Sequence, residues 1–332
     1  MSLPVKFPYP PMEASTAPEL PRGRGWQYEP KWDGFRCLAF RDGDTVRLQS
    51  KAGKPLSRYF PDVVESLAAL RATRFVLDGE IVIPVDGRLS FDELLLRVHP
   101  AASRVRTLVA AHRARLVVFD LLVDGRGRSL VGLPLAERRR RLEDFAATQF
   151  RGSRLLALAR TTTRAATAAA WLAGRNGDHD GVVAKRIDLP YRSGERDGMI
   201  KVKRRRTADC VVGGFRYASS GRQMGSLLLG LYDPEGKLHH VGFCSSLSAD
   251  ERRGLTAKLE RLRHPPGFTG RAPGGPSRWS TERSAAWEPL KPTLVVEVGY
   301  DHVTNGRFRH GTTFLRWRPD KAPRQCTMEQ IA

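Results

Sequence analysis

The sequence predicts an α+β protein built as two domains, residues 1–202 and 203–332. Three observations support this. At 332 residues the chain exceeds the size at which one hydrophobic core is usual. Its first two hundred residues mix short strand-like apolar runs with helical stretches. Beyond about residue 204 the texture changes to successive strands separated by glycine-rich turns, with one helix among them.

Taken in order, residues 1–25 are proline-rich and are expected to run extended over the surface. Residues 35–40 and 45–49 flank Arg41-Asp42-Gly43-Asp44, a hairpin signal. Residues 75–83 form an apolar run interrupted by Asp78-Gly79-Glu80, and residues 116–123 form another strand. A helix begins at residue 134 and carries the basic run Arg138 to Arg141, expected on an exposed face. Residues 161–174 are alanine-rich, helical, and end at a glycine, and strands at 181–186 and 199–203 complete the first domain. In the second domain, residues 208–217, 225–232, 238–244, 293–300 and 312–318 read as strands, 250–263 as a helix and 265–280 as a loop. About five strands and one helix in roughly 125 residues suit a small β-barrel of OB type.

Lys and Arg number 56 against 35 Asp and Glu, a net charge of +21. Such a surplus costs self-repulsion unless a polyanion is the partner, so nucleic acid leads and an anionic membrane comes second. No apolar run approaches the roughly 20 residues of a membrane span. The N-terminus lacks the charged start and apolar core of a signal peptide. Cys37, Cys210, Cys244 and Cys326 are widely separated and form no C-x-x-C pair. Reduced cysteines of a cytoplasmic protein, packed as small hydrophobes, are expected rather than zinc or disulfides. The eight histidines show no metal-ligand spacing and read as surface or structural groups, with His310 the one worth watching.

The chemistry-bearing strings start with Tyr28-Glu29-Pro30-Lys31-Trp32-Asp33-Gly34-Phe35-Arg36. A lysine two residues before an acid and five before an arginine suits an amine that attacks phosphorus. The amine must lose its proton, which nearby positive charge or desolvation favours. Four shorter strings follow: Asp78-Gly79-Glu80, Phe119-Asp120, Asp180-Gly181-Val182-Val183-Ala184-Lys185, and Ile200-Lys201-Val202-Lys203. In the last, alternation puts Lys201 and Lys203 on one face, where they repel unless an anion lies between them. Each string alone reads equally well as a turn, a core strand or a solvated face.

In this order the strings resemble the covalent nucleotidyltransferases: ATP-dependent DNA ligases, RNA ligases and mRNA capping enzymes. The first string, together with Trp287-Glu288-Pro289, Arg309-His310 and Phe314-Leu315-Arg316-Trp317-Arg318-Pro319-Asp320-Lys321, is similar to bacterial ATP-dependent DNA ligases of the minimal, LigC-like repair and end-joining type. The resemblance covers nearly the whole chain and implies a nucleotidyltransferase (adenylation) domain followed by an OB-fold. Lys31 would become covalently attached to AMP taken from ATP. Glu29 would lie beside the adenine, Phe119 would stack on it, Arg36 would contact the ribose, and Glu80 would lie below the sugar. Lys201 and Lys203 would grip the α-phosphate, with Lys185 nearby. Asp33 and Asp180, with Glu80 alongside, would hold Mg2+ or Mn2+. Asp320 and Lys321 would orient the leaving pyrophosphate.

Nicked double-stranded DNA would be the partner, contacted by Lys51, Arg204, Arg205, Arg206 and Arg318. Asp180 stands where the family usually has glutamate, and Lys51 where it usually has arginine. An RNA ligase or capping guanylyltransferase would share Lys31 and the metal-binding acids, and a dead, basic DNA-binding adaptor is a non-enzymatic alternative. The ligase reading expects a monomer in the bacterial cytoplasm, at the nucleoid, working with repair proteins encoded separately.

Overall fold

The computed structural model describes residues 3–174, 179–204, 206–218, 221, 223–274 and 286–331. The expected contact residue Arg205 and the expected loop beyond residue 274 lie outside the described residues. The chain divides into two compact units, residues 1–204 and 205–332.

The first unit holds two main sheets. One runs in the order Ser15–Thr16, Met199–Lys203, His179–Arg186, Trp26–Trp32, and the other Thr45–Ser50, Phe35–Asp42, Arg74–Val82, Arg115–Val123, Leu156–Leu158. Helices Pro61–Ala68 and Leu135–Gln149 bury Val63, Leu67, Leu142 and Phe145 in the core beside the second sheet. Helix Ala165–Ala173 buries Ala168 against Tyr28, Val182 and Ala184 of the first sheet. A third apolar cluster joins Leu38, Phe40, Val76 and Leu122 of the second sheet to Met199 of the first and to Leu3, Val5 and Met12. The N-terminal segment is therefore core-forming rather than a surface strap: its sparse apolar residues are spent inward.

The expected exposed basic face holds for Arg140 but is corrected for two of its residues. Arg138 and Arg139 are both buried on helix Leu135–Gln149. Arg138 makes a bidentate pair with Asp120 at 2.9 and 2.8 Å, and Arg139 donates to the carbonyl of Ala159 at 3.0 Å. A basic run looks solvated until the strand beneath it proves to carry an acid. Helices Pro61–Ala68, with proline at its first position, Phe91–Arg97, capped by Ser90 accepting from the Glu93 amide, and Ala102–Ala111 complete the unit.

The second unit is a sheet in the order Leu238–Cys244, Met224–Tyr232, Arg206–Tyr217, Val295–Tyr300, Thr313–Trp317, with Glu288–Pro289 also paired to Arg206–Tyr217. The ladder is not continuous around a barrel; a lone parallel bridge from Cys244 to Thr312 joins its two ends. Helix Ala249–Arg261 starts at a capping box made by Ser248 and Glu251. This arrangement fits an OB-type domain. All four cysteines are free and buried, and burial raises the thiols of Cys37, Cys210 and Cys326, the last to about 11. No helix among the described residues is long and apolar enough to cross a membrane.

Candidate active site

Strand register assembles the site. In the first sheet Lys31 lies opposite Gly181, which lies opposite Lys203. Glu29 lies opposite Val183, which lies opposite Lys201. Because side chains alternate along a strand, these two rows share one face. The glycine in the first row is required: a Cβ at Gly181 would sit 2.1 Å from the Val202 carbonyl oxygen.

This face forms one wall of a cleft enclosing about 730 Å³, including its mouth. Lys31, Glu29, Lys185 and Lys201 line it, as do Arg36, Glu80 and Phe119 from the second sheet. Lys51, Met12 and Glu13 complete the rim.

At one end, Glu29 and Lys185 form a buried ion pair at 2.7 Å, and Glu29 also accepts from Gln27 Nε2 at 2.9 Å. Phe119 is buried, with Lys185 Nζ 4.3 Å and Arg36 Cζ 4.6 Å from its ring centroid. These are cation–π contacts that fix the ring's orientation. Arg36 itself is held by a bidentate pair with Asp78 at 2.6 and 2.7 Å. The Tyr191 hydroxyl donates to Asp78 at 2.7 Å and accepts from the Met12 amide at 3.0 Å. Asp78 keeps Arg36 charged by raising its pKa, although burial opposes this.

Glu80 lies opposite Arg36 in the strand pair. Burial pushes its carboxyl up to about 7, against the pull of Arg36 and Lys31. A glutamate raised in the folded state binds more protons folded than unfolded between about pH 4.5 and 7. Its contribution is therefore favourable below the unfolded value and is lost as pH rises through about 7. Relative to wild type, Glu80→Gln should gain stability on going from about pH 5 to about pH 8, by up to about 3 kcal/mol. Paired thermal melts at the two pH values check this, and an unchanged difference in melting temperature counts against it.

At the other end, Lys31 Nζ pairs with Asp180 Oδ2 at 3.1 Å. Asp33, which is buried, and Asp180 bring carboxylate oxygens within 4.8 Å of each other. Two converging carboxylates repel, and hard oxygen donors suit Mg2+ or Mn2+, so the donor set fits the expected divalent cation. The turn between Lys31 and Arg36 leaves no room for a side chain at Gly34, whose Cβ would lie 2.2 Å from the Ile81 carbonyl oxygen. Gly34→Ala should therefore cost about 1–3 kcal/mol. Urea denaturation checks it, and a loss below about 0.5 kcal/mol, the scatter of surface changes, counts against that strain.

Lys201 has a lowered pKa, chiefly through burial and then through Lys51, Lys203 and Lys31. Lys51 pairs with Glu13 at 3.0 Å. Arg204 donates to the carbonyls of Leu172 and Trp171 at 3.1 and 3.3 Å, capping helix Ala165–Ala173.

In the second unit, Arg318 bonds Asp209 and Asp320, each at 2.8 Å, and Lys321 pairs with Asp209 at 3.0 Å. Arg206 opens its strand opposite Tyr300. His310 pairs with Asp301 at 3.0 Å. No local pattern marks Tyr191, Asp209 or Glu13 as site neighbours, since each acts through long-range contacts. Asp78 is visible beside Glu80 in the sequence, but nothing there shows its hold on Arg36.

Residues 11–203 match the family model of the ATP dependent DNA ligase domain, and residues 220–321 match that of the ATP dependent DNA ligase C terminal region. DNA ligase C1 of Mycolicibacterium smegmatis is 44% identical over 342 residues, covering 100% of this chain and 96% of that protein. DNA ligase C of Mycobacterium tuberculosis is 41% identical over 346 residues, again covering 100% and 96%. A solved mycobacterial DNA ligase D, complexed with ATP and MES, is 29% identical with a TM-score of 0.51, covering 96% of this chain and 98% of that one. The lysine string, the row of lysines on one sheet face and the two matched regions agree, and the chain belongs to the ATP-dependent DNA ligases.

Proposed function

We propose that the cleft of the first unit is the adenylation site, that Lys31 is the residue that carries AMP, and that the substrate is nicked duplex DNA in a repair setting. The observation that carries this is Lys31 and Lys201 on one wall of a cleft whose far end holds Glu29, Lys185 and Phe119, with Lys203 in register with Lys31 across Gly181. Glu29 offers acceptors to a purine amino group, and the Phe119 ring offers a stacking surface. Arg36, fixed by Asp78, and Glu80 reach the sugar. Lys201 and Lys203 neutralise the α-phosphate without new covalent chemistry, which is what phosphoryl transfer requires.

The Lys31 amine, freed from Asp180 and having lost its proton, attacks the α-phosphorus of ATP. A P–N bond forms, the α–β anhydride bond breaks, and pyrophosphate leaves. The 5′-phosphate of the nick then attacks the lysyl-AMP; the P–N bond breaks and a phosphoanhydride forms. Finally the 3′-hydroxyl attacks that 5′-phosphate, a phosphodiester forms, and AMP leaves. Asp33 and Asp180 are the proposed holders of Mg2+ or Mn2+, with Glu80 beside them, and the ion supplies charge neutralisation at the phosphate. Lys51, Arg204, Arg206 and Arg318 are the proposed contacts to the DNA backbone, and Asp320 and Lys321 the groups that orient pyrophosphate. Phosphate contacts make such binding strongly salt-dependent.

The test is incubation with α-labelled ATP or GTP and magnesium, followed by nicked duplex. Label from ATP that chases into the DNA 5′ end is the expected result. Absence of label from folded protein that is not already adenylated overturns the assignment. Label from GTP alone, or a chase into RNA only, moves the substrate class to capping or RNA ligation.

A further inference from the structure

The cations at the phosphate end of the cleft are not left to face one another. Lys51, Lys203 and Lys31 are close enough to perturb Lys201, and Arg196 adds to them. Asp180 pairs with Lys31, and a second carboxylate, Glu13, is set beside Lys51 and Arg196. Glu13 pairs with Lys51 Nζ at 3.0 Å and with Arg196 Nε at 3.2 Å. Its backbone holds it there: the Glu13 amide donates to the Glu195 carbonyl at 2.8 Å, the Gly194 amide donates to the Pro11 carbonyl at 3.3 Å, and Ser15 pairs in parallel register with Ile200. Lys51 is 55% exposed and Glu13 24%, so the pair is open to water and cheap to break.

We infer that Glu13 is a specificity-determining residue: a built-in counter-anion that occupies the cation cluster in place of a ligand phosphate and weakens the site's hold on free polyphosphate. The inference rests on the reading of this cleft as the adenylation site. An acid fixed beside a phosphate clamp has two effects. It repels a bound polyphosphate tail, which favours release of the pyrophosphate formed with lysyl-AMP. It also keeps Lys51 engaged until an anion able to compete, such as a 5′-phosphate presented by a large polyanion, takes its place. Both effects come from Coulomb interactions at a few ångströms across a partly hydrated rim.

The experiment titrates inorganic pyrophosphate calorimetrically into wild-type protein and into Glu13→Gln and Glu13→Asp, all freed of bound AMP. Glu13→Gln should bind pyrophosphate about fivefold to tenfold more tightly, since one unit of nearby negative charge is removed. Glu13→Asp, which keeps the charge, should stay near wild type. Equal or weaker binding by Glu13→Gln overturns the inference. So does a matching change in both variants, because that would report distortion of the segment around residue 13 rather than charge. Thermal melts establish that each variant is folded. The titration reads binding without covalent chemistry, so a failure of lysyl-AMP formation remains separately visible in the labelled-ATP assay.

Discussion

Lys31→Ala should abolish the covalent AMP label and lower nick sealing from ATP by at least about 10⁴-fold, as removal of a covalent nucleophile does elsewhere. Fold stability should change little. The side chain is 22% exposed at the end of strand Trp26–Trp32, and its partner Asp180 is itself 16% exposed, so neither carries the core. The variant should still seal a nick whose 5′ end already carries AMP, because that step needs the phosphate clamp and not the amine. This separates a missing nucleophile from a damaged cleft. A labelled Lys31→Ala protein would mean that another amine is the acceptor. Loss of sealing on the pre-adenylated nick, with an intact melt, would mean that Lys31 also serves the last step.

Asp78→Ala should be the most damaging single change in the cleft floor. Asp78 is fully buried, makes both bonds to the Arg36 guanidinium and accepts from Tyr191. Its loss strands a cation and a buried hydroxyl together. Breaking a buried pair from one side costs about 3–5 kcal/mol; because Arg36 keeps some exposure, about 2–4 kcal/mol is expected here. Lysyl-AMP formation should fall with it, since Arg36 and the Met12 segment lose their shared anchor. Urea denaturation gives the first quantity and the labelled-ATP assay the second. A stability loss below about 1 kcal/mol, the range of an ordinary exposed pair, would show that Glu80 takes over as the Arg36 partner. Asp78→Asn, which keeps the shape and one acceptor, should fall between the two.

What can be read from the sequence follows the range of the physics. Lys31, Glu29 and Arg36 stand within eight residues, and period-two alternation by itself places Lys201 and Lys203 on one face. The rows that unite them across strands need register, which depends on turns and partners far along the chain. The same limit explains the errors. Arg138 and Arg139 look solvated in sequence because their partners, Asp120 and the Ala159 carbonyl, lie on other segments. Residues 3–12 resemble a surface strap because their few apolar side chains show no period, yet Met12 reaches the cleft and bonds Tyr191 through its amide. The capping bond of Arg204 is hidden in the sequence for the same reason, since the helix end it caps lies far upstream.

The distribution of thiols has a practical consequence. Cys37 is buried in the first unit, whereas Cys210, Cys244 and Cys326 are buried in the second. A maleimide reacts with thiolate, and burial has pushed several of these groups away from that form. Mass spectrometry of timed alkylation in dilute denaturant would therefore record two unfolding clocks in the native chain, one singly labelled and one triply labelled. No engineered probe would be needed to learn which half opens first, or whether ATP or nicked DNA slows one clock and leaves the other running.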